Sequence, residues 1–138
     1  MNKTITIERT IKAPIERVFD AFITPDDLVK WHSAGGGWTT PHAIIDAQPG
    51  GKFNIGYQDP NGEFNFDFTG TYTEIDRPNK IAYTIDDGRK VEINFEEVGE
   101  NQTHVRWEFE MESENPEEMQ RAGWNQQLVH LGQLLDTE

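Results

Sequence analysis

The last quarter of the chain constrains the fold most. Residues 115–136 read N-P-E-E-M-Q-R-A-G-W-N-Q-Q-L-V-H-L-G-Q-L-L-D. At about 100° per residue, Trp124, Leu128, Leu131 and Leu135 fall on one narrow stripe of a helix. Asn115 is the expected N-cap, with Pro116 at the first helical position and Glu118 placed to close a capping box. Glu117 and Glu118 suit the positive end of the helix dipole. Gln120, Gln127 and Leu134 flank the stripe on one side, and Gly123 and His130 lie further round that side. A helix this long must bury its stripe against something, and nearly everything upstream reads as strand.

The upstream alternation is regular. Thr4 to Ile11 sets Ile5, Ile7 and Ile11 on one face, as a half-buried strand does. Two short helical stretches follow. Pro14 opens one carrying Ile15, Val18, Phe19 and Phe22. Thr24-Pro25-Asp26-Asp27 starts the other, which runs to Trp31. His32 to Pro41 is a glycine-rich loop holding Trp38. Beyond it come strands separated by turn residues at Pro49-Gly50-Gly51, Asp59-Pro60-Asn61-Gly62, Arg77-Pro78-Asn79, Asp87-Gly88 and Gly99–Gln102. Their inward positions are Phe53, Ile55 and Tyr57; then Phe64, Phe66, Phe68 and Tyr72; then Ile81, Tyr83 and Ile85; then Val91, Ile93 and Phe95; then Val105, Trp107, Phe109 and Met111. The order β-α-α-β-β-β-β-β-β-α predicts an α+β protein with an antiparallel meander, apolar on one face. Residues 1–138 are expected to form a single domain.

Charge and composition exclude several functions. With 25 acidic against 12 basic residues, the formal net charge is −13. That field repels nucleic acid and anionic membrane surfaces. Cysteine is absent, which removes disulfides, thiolate metal sites and cysteine nucleophiles. No stretch is long and apolar enough to span a membrane, and the N-terminal residues lack a signal-peptide core, so a cytoplasmic location is expected. The four histidines, His32, His42, His104 and His130, have no metal-site spacing, and Asp59–Glu63 fails as a calcium loop because Phe64 stands where glycine is needed. Gly35-Gly36-Gly37 matches neither phosphate-binding glycine pattern. No nucleophile-and-base motif is present. The sequence therefore implies no metal and no cofactor.

What remains is a set of large rings with a few polar groups. Trp31, Trp38, Tyr57, Phe66, Phe68, Tyr83, Phe95, Trp107 and Trp124 fall on or near the face that the helix would cover. Gly123, Gln127, His130 and His32 lie beside them. Rings with a small number of placed polar groups describe a binding cavity, although the same rings could equally fill a core. Gln127, about 60° from the stripe centre, must be hydrogen-bonded if buried.

The ordered set of Ala13-Pro14 to Phe22, Thr24-Pro25 to Trp31, Pro49-Gly50-Gly51-Lys52-Phe53, Gly70-Thr71-Tyr72 with Glu74-Ile75, Arg77-Pro78, and Gly123-Trp124 with Leu128, Leu131 and Leu135 resembles the START-like superfamily (SRPBCC, helix-grip, birch-pollen-allergen-like). Within it the chain is most similar to the family of the activator of Hsp90 ATPase homologue. The resemblance implies a curved antiparallel sheet of about six to seven strands wrapped around the C-terminal helix, with two short helices after the first strand. It implies a cavity for a small lipophilic or aromatic molecule such as a lipid, sterol, polyketide or flavonoid. It carries no shared catalytic set. A cyclase/aromatase-like enzyme and a co-chaperone-like interaction domain are the alternatives it leaves open, with a monomer or weak homodimer as the expected state.

Overall fold

The computed structural model describes residues 3–32 and 37–136. Ser33 to Gly36, within the glycine-rich loop, lie outside the described residues. The chain runs β1 (Thr4–Ile11), α1 (Ile15–Ala21), α2 (Pro25–Trp31), β2 (Ala43–Ile45), β3 (Lys52–Gln58), β4 (Asn65–Asp76), β5 (Lys80–Ile85), β6 (Lys90–Gly99), β7 (Gln102–Glu110) and α3 (Glu117–Leu135). The strands form one sheet in the order β1-β7-β6-β5-β4-β3-β2, and every pairing is antiparallel. This is the helix-grip arrangement expected from the sequence, with seven strands.

Local chemistry explains the wrap. Tight turns join β2 through β7, whereas α1 and α2 carry the chain from β1 at one edge to β2 at the other. Register shifts at Tyr72/Glu74 in β4 and at Glu97/Gly99 in β6 add bend and twist to the sheet. Arg17 ties the two short helices together through a two-pronged contact with Asp27, at 2.8 and 3.0 Å. Inside, Phe22 packs edge-on against Trp31, Phe95 and Trp107, with centroids 4.8–5.3 Å apart. Edge-to-face packing of this kind adds to simple area burial. Trp31 Nε1 donates to the Ala21 carbonyl at 2.9 Å, so even the deepest indole of α2 is satisfied.

The structure departs from the sequence reading at two places. Pro116, not Asn115, is the N-cap of α3, and no side chain caps the helix. The capping box through Glu118 is therefore not made. Gln120 reaches back instead: its Oε1 accepts from the Glu112 N–H at 2.9 Å, and its Nε2 donates to the carbonyls of Glu112 and Asn115 at 3.0 and 2.8 Å. The second departure is at the start of β4, where Phe64 and Phe66 are 70% and 53% exposed. They share the inward parity of Phe68 and Tyr72, but β4 pairs with β5 only from Gly70 onward. There the strand is paired with β3 but not yet with β5.

Candidate functional site

His32 is the residue at which α2 ends. Its backbone N–H still bonds the Leu28 carbonyl at 2.9 Å, while its own φ and ψ have left the helix. Thr40 Oγ1 donates to the His32 carbonyl at 2.7 Å and fixes the exit. The imidazole is 5% exposed. Tyr57, the third inward residue of β3 after Phe53 and Ile55, comes from the facing sheet and is also buried. Gln127 descends from α3 and is 9% exposed.

These three side chains form one hydrogen-bonded chain. Gln127 Nε2 donates to Tyr57 Oη at 3.1 Å, and Tyr57 Oη contacts His32 Nδ1 at 2.5 Å. With the amide donating to it, the tyrosine oxygen can in turn give its own proton to Nδ1 of a neutral imidazole. Burial favours the uncharged forms. It pulls the His32 pKa down to about 4, so the ring is neutral at neutral pH. It pushes the Tyr57 hydroxyl far above its ordinary value, an effect that Gln127 partly offsets. Gln127 Oε1 has no hydrogen-bond partner.

Next to this chain, between β3, β4 and the first half of α3, lies a cavity of about 300 Å³. Tyr57, Phe66, Phe68 and Trp124 wall it with rings, and His32, Arg89, Asn115, Met119, Gln120, Gly123 and Gln127 complete the lining. Tyr57 and Phe66 are stacked at 4.9 Å, and Phe68 meets Trp124 edge-on at 6.1 Å. Trp124 itself lies flat on Phe109 at 4.0 Å. Among the described residues no carboxylate lines the cavity; Arg89 does, with its Nε bonded to Asp87 at 2.8 Å. A smaller enclosed space of about 20 Å³ sits deeper, and it shares His32 and Phe68 with the larger one. Among the described residues no group of three or more potential metal ligands converges, and no helix is long and apolar enough to cross a membrane.

The sequence-derived candidates separate into three positions. His32, Tyr57, Phe66, Phe68, Gly123, Trp124 and Gln127 surround the cavity. Trp31, Tyr83, Phe95 and Trp107 lie in the packed core, where Tyr83 and Trp107 border the small inner space and not the cavity. Trp38 is half-buried and stands edge-on to Phe66 at 6.1 Å. His130, half-buried, does not line the cavity and contacts Gln126 at 3.1 Å. Sequence reasoning missed Met119, Arg89, Asn115 and Gln120 as lining residues. Met119 precedes Gly123 and Gln127 by whole turns of the helix, so extending that line toward the N-terminus would have found it. Arg89 carries no comparable signal, because its place depends on where the Asp87-Gly88 hairpin sits against α3.

Comparison with known proteins gives a consistent result. A family model described as "Activator of Hsp90 ATPase homolog 1-like protein" matches residues 12–136. No curated protein matches the sequence. Among solved structures, the chain is similar to an AHSA1-like protein from Aeromonas hydrophila, at 31% identity and a TM-score of 0.90, covering 98% of this chain and 93% of that one. A protein from Cytophaga hutchinsonii is 35% identical, with a TM-score of 0.82 and coverage of 97% and 92%. A protein from Nitrosomonas europaea shares the fold at 21% identity and a TM-score of 0.85, covering 97% and 94%.

Proposed function

The chain belongs to the Activator of Hsp90 ATPase homolog 1-like family, and on that premise we propose that it binds a small lipophilic or aromatic molecule in the cavity between β3, β4 and α3. One observation carries the reading. Gln127 is buried, it borders a ring-lined cavity of about 300 Å³, and its Oε1 has no partner among the described residues. A buried polar atom left unpaired costs free energy that a ligand can recover. A ring-lined space with few placed polar groups is the usual form of a small-molecule site.

The test is an amide-resolved NMR titration against a fatty acid, a sterol, a flavonoid and a polycyclic polyketide. Saturable shifts clustered at Tyr57, Gly123 and Gln127 are expected with at least one of them. Gly123→Leu is expected to abolish those shifts while the spectrum stays dispersed, because a side chain at Gly123 meets no atom within 4 Å and grows into open space. If all four compounds leave the spectrum unchanged, the reading fails.

A second reading, cyclase/aromatase-like proton transfer, rests on the Tyr57–His32 contact. Two groups able to exchange a proton meet there beside the cavity. His130 and Tyr83 do not join them: the first contacts Gln126 and the second borders the inner space. Turnover of a bound polyketide that is lost in Tyr57→Phe, with binding retained, would establish this reading over simple binding.

A further inference from the structure

We infer that the molecule held here is a neutral two-ring aromatic that donates a hydrogen bond to Gln127 Oε1, an inference that rests on the binding reading above. Size sets the first limit. An apolar cavity of about 150 Å³ takes one benzene ring, so about 300 Å³ takes roughly two. A fused tetracycle or a long acyl chain would leave part of its surface in water at the exposed Phe66 and Met119.

Polarity sets the second limit, and it follows from which groups are already engaged. Gln120 uses its oxygen and its amide nitrogen on the backbone before α3. Tyr57 Oη receives the Gln127 amide and contacts His32. The Gln127 nitrogen gives one of its two N–H groups to Tyr57. Among the described residues of this wall, Gln127 Oε1 is the buried side-chain atom without a partner. A carbonyl oxygen can only accept, so the ligand must bring the proton, as a hydroxyl or an N–H. An ether or ketone oxygen at the same place would set acceptor against acceptor.

Charge sets the third. A net charge of −13 works against an anion approaching through water. The one cation at the wall, Arg89, is already paired with Asp87. A cation would be desolvated with no carboxylate in the lining to receive it, which is costly. Neutral molecules remain.

The experiment is calorimetric and NMR titration of the full chain with 2-naphthol and with 2-methoxynaphthalene, which match in rings and differ in the donor. For the wild type, 2-naphthol is expected to bind about tenfold more tightly, the size of one recovered buried hydrogen bond. Gln127→Met keeps the length of the side chain and removes the acceptor, and is expected to bring the two affinities together. Gln127→Leu gives the same comparison should the methionine variant fail to fold. Equal affinities in the wild type, or a tenfold preference that survives in the folded variant, would overturn the donor requirement while leaving cavity binding intact. If neither compound, nor any of the four larger ones, perturbs Gly123 and Gln127, the cavity reading falls as well.

Discussion

Along one flank of α3 the helix is tied to β1 from end to end. Lys3 pairs with Glu117, Arg121 donates to the Thr6 carbonyl at 2.7 Å, Arg9 lies against Gly132, and the Lys12 N–H bonds Asp136 at 2.8 Å. The lengths match: eight strand residues at about 3.3 Å and nineteen helix residues at about 1.5 Å both span somewhat under 30 Å. Along the other flank, in the first half of the helix, the side chains facing β3 and β4 are Met119, Gly123, Trp124 and Gln127, and they leave a cavity. A helix fixed along one edge does not need to close on the other. The stitched flank holds α3 in register, and that lets the open flank carry a glycine, an unpaired amide oxygen and empty volume without losing the fold.

That contrast is open to direct attack. The largest effect is expected at the apolar stripe between the flanks. Leu131 is fully buried, and Leu131→Ala should cost about 3 kcal/mol, from lost transfer energy plus the cavity left behind. Denaturant unfolding would measure it, and a cost below about 1 kcal/mol would mean that the stripe is not held tightly by the stitched flank.

The next effect belongs to the floor of the open flank. His32 titrates near 4 in the folded chain because burial disfavours its charge, and near 6.5 when unfolded. As pH falls from about 6.5 toward 4, the unfolded chain takes up a proton that the folded chain refuses, so stability declines through that window and levels off below it. Between pH 7 and pH 5 this amounts to about 2 kcal/mol. Carboxylates held low by their partners, such as Glu92 beside Asn94 and Lys80, act mainly below that window. His32→Phe should therefore flatten the pH 7 to pH 5 decline measured by urea unfolding, whatever its own starting stability. An unchanged slope would show that the imidazole at the cavity floor is reached by water.

Much of this architecture was legible in the sequence, because the signals that encode it are local. Alternation fixed which face of each strand turns inward, and Thr24-Pro25 and Pro14 marked the two short helices where the structure has them. Gln127 was found from helical spacing alone, and its bond to Tyr57 is the one that burial requires. The unread features all depend on what lies opposite. Phe64 and Phe66 keep the inward parity of β4, yet stay exposed because β5 ends before it reaches them. Asn115 does not cap α3, and its carbonyl instead accepts from the side chain of Gln120, five residues later. The contact between His32 and Tyr57 joins residues 25 apart, and no pattern in either segment announces it. Empty volume is the hardest to read, since it is a small difference between the room a fold encloses and the rings that fill it.

The two glutamines of α3 sharpen the comparison. Gln120 makes three bonds to backbone groups at the entry of the helix, and Gln120→Met should cost about 2 kcal/mol. Gln127→Met removes one bond and also one unpaired buried acceptor, and leaves Tyr57 its contact with His32. It should change stability by less than about 1 kcal/mol. Similar losses at the two positions, measured by denaturant unfolding, would argue that Gln127 is a structural residue like its neighbour.

The smallest effect separates the flanks most cleanly, because it uses the same substitution on both. In a helix interior, glycine to alanine gains about 1 kcal/mol from backbone entropy. At Gly123 a new Cβ meets no atom within 4 Å, so the gain should appear in full and trim the cavity only slightly. At Gly132 the Cβ would come within 2.7 Å of Arg9 Nε and 3.3 Å of its Cζ. Arg9 Nε is buried and without a partner, so the guanidinium must leave a packed position for the methyl to enter, and overpacking of that kind costs about 1–3 kcal/mol. Gly123→Ala should therefore stabilise the protein by about 1 kcal/mol, while Gly132→Ala should destabilise it by a similar amount. Should both stabilise equally, Arg9 swings out without cost. The flank along β1 would then be held by its hydrogen bonds alone and not by the close fit of strand to helix, and the freedom to leave the opposite flank open would need a different physical source.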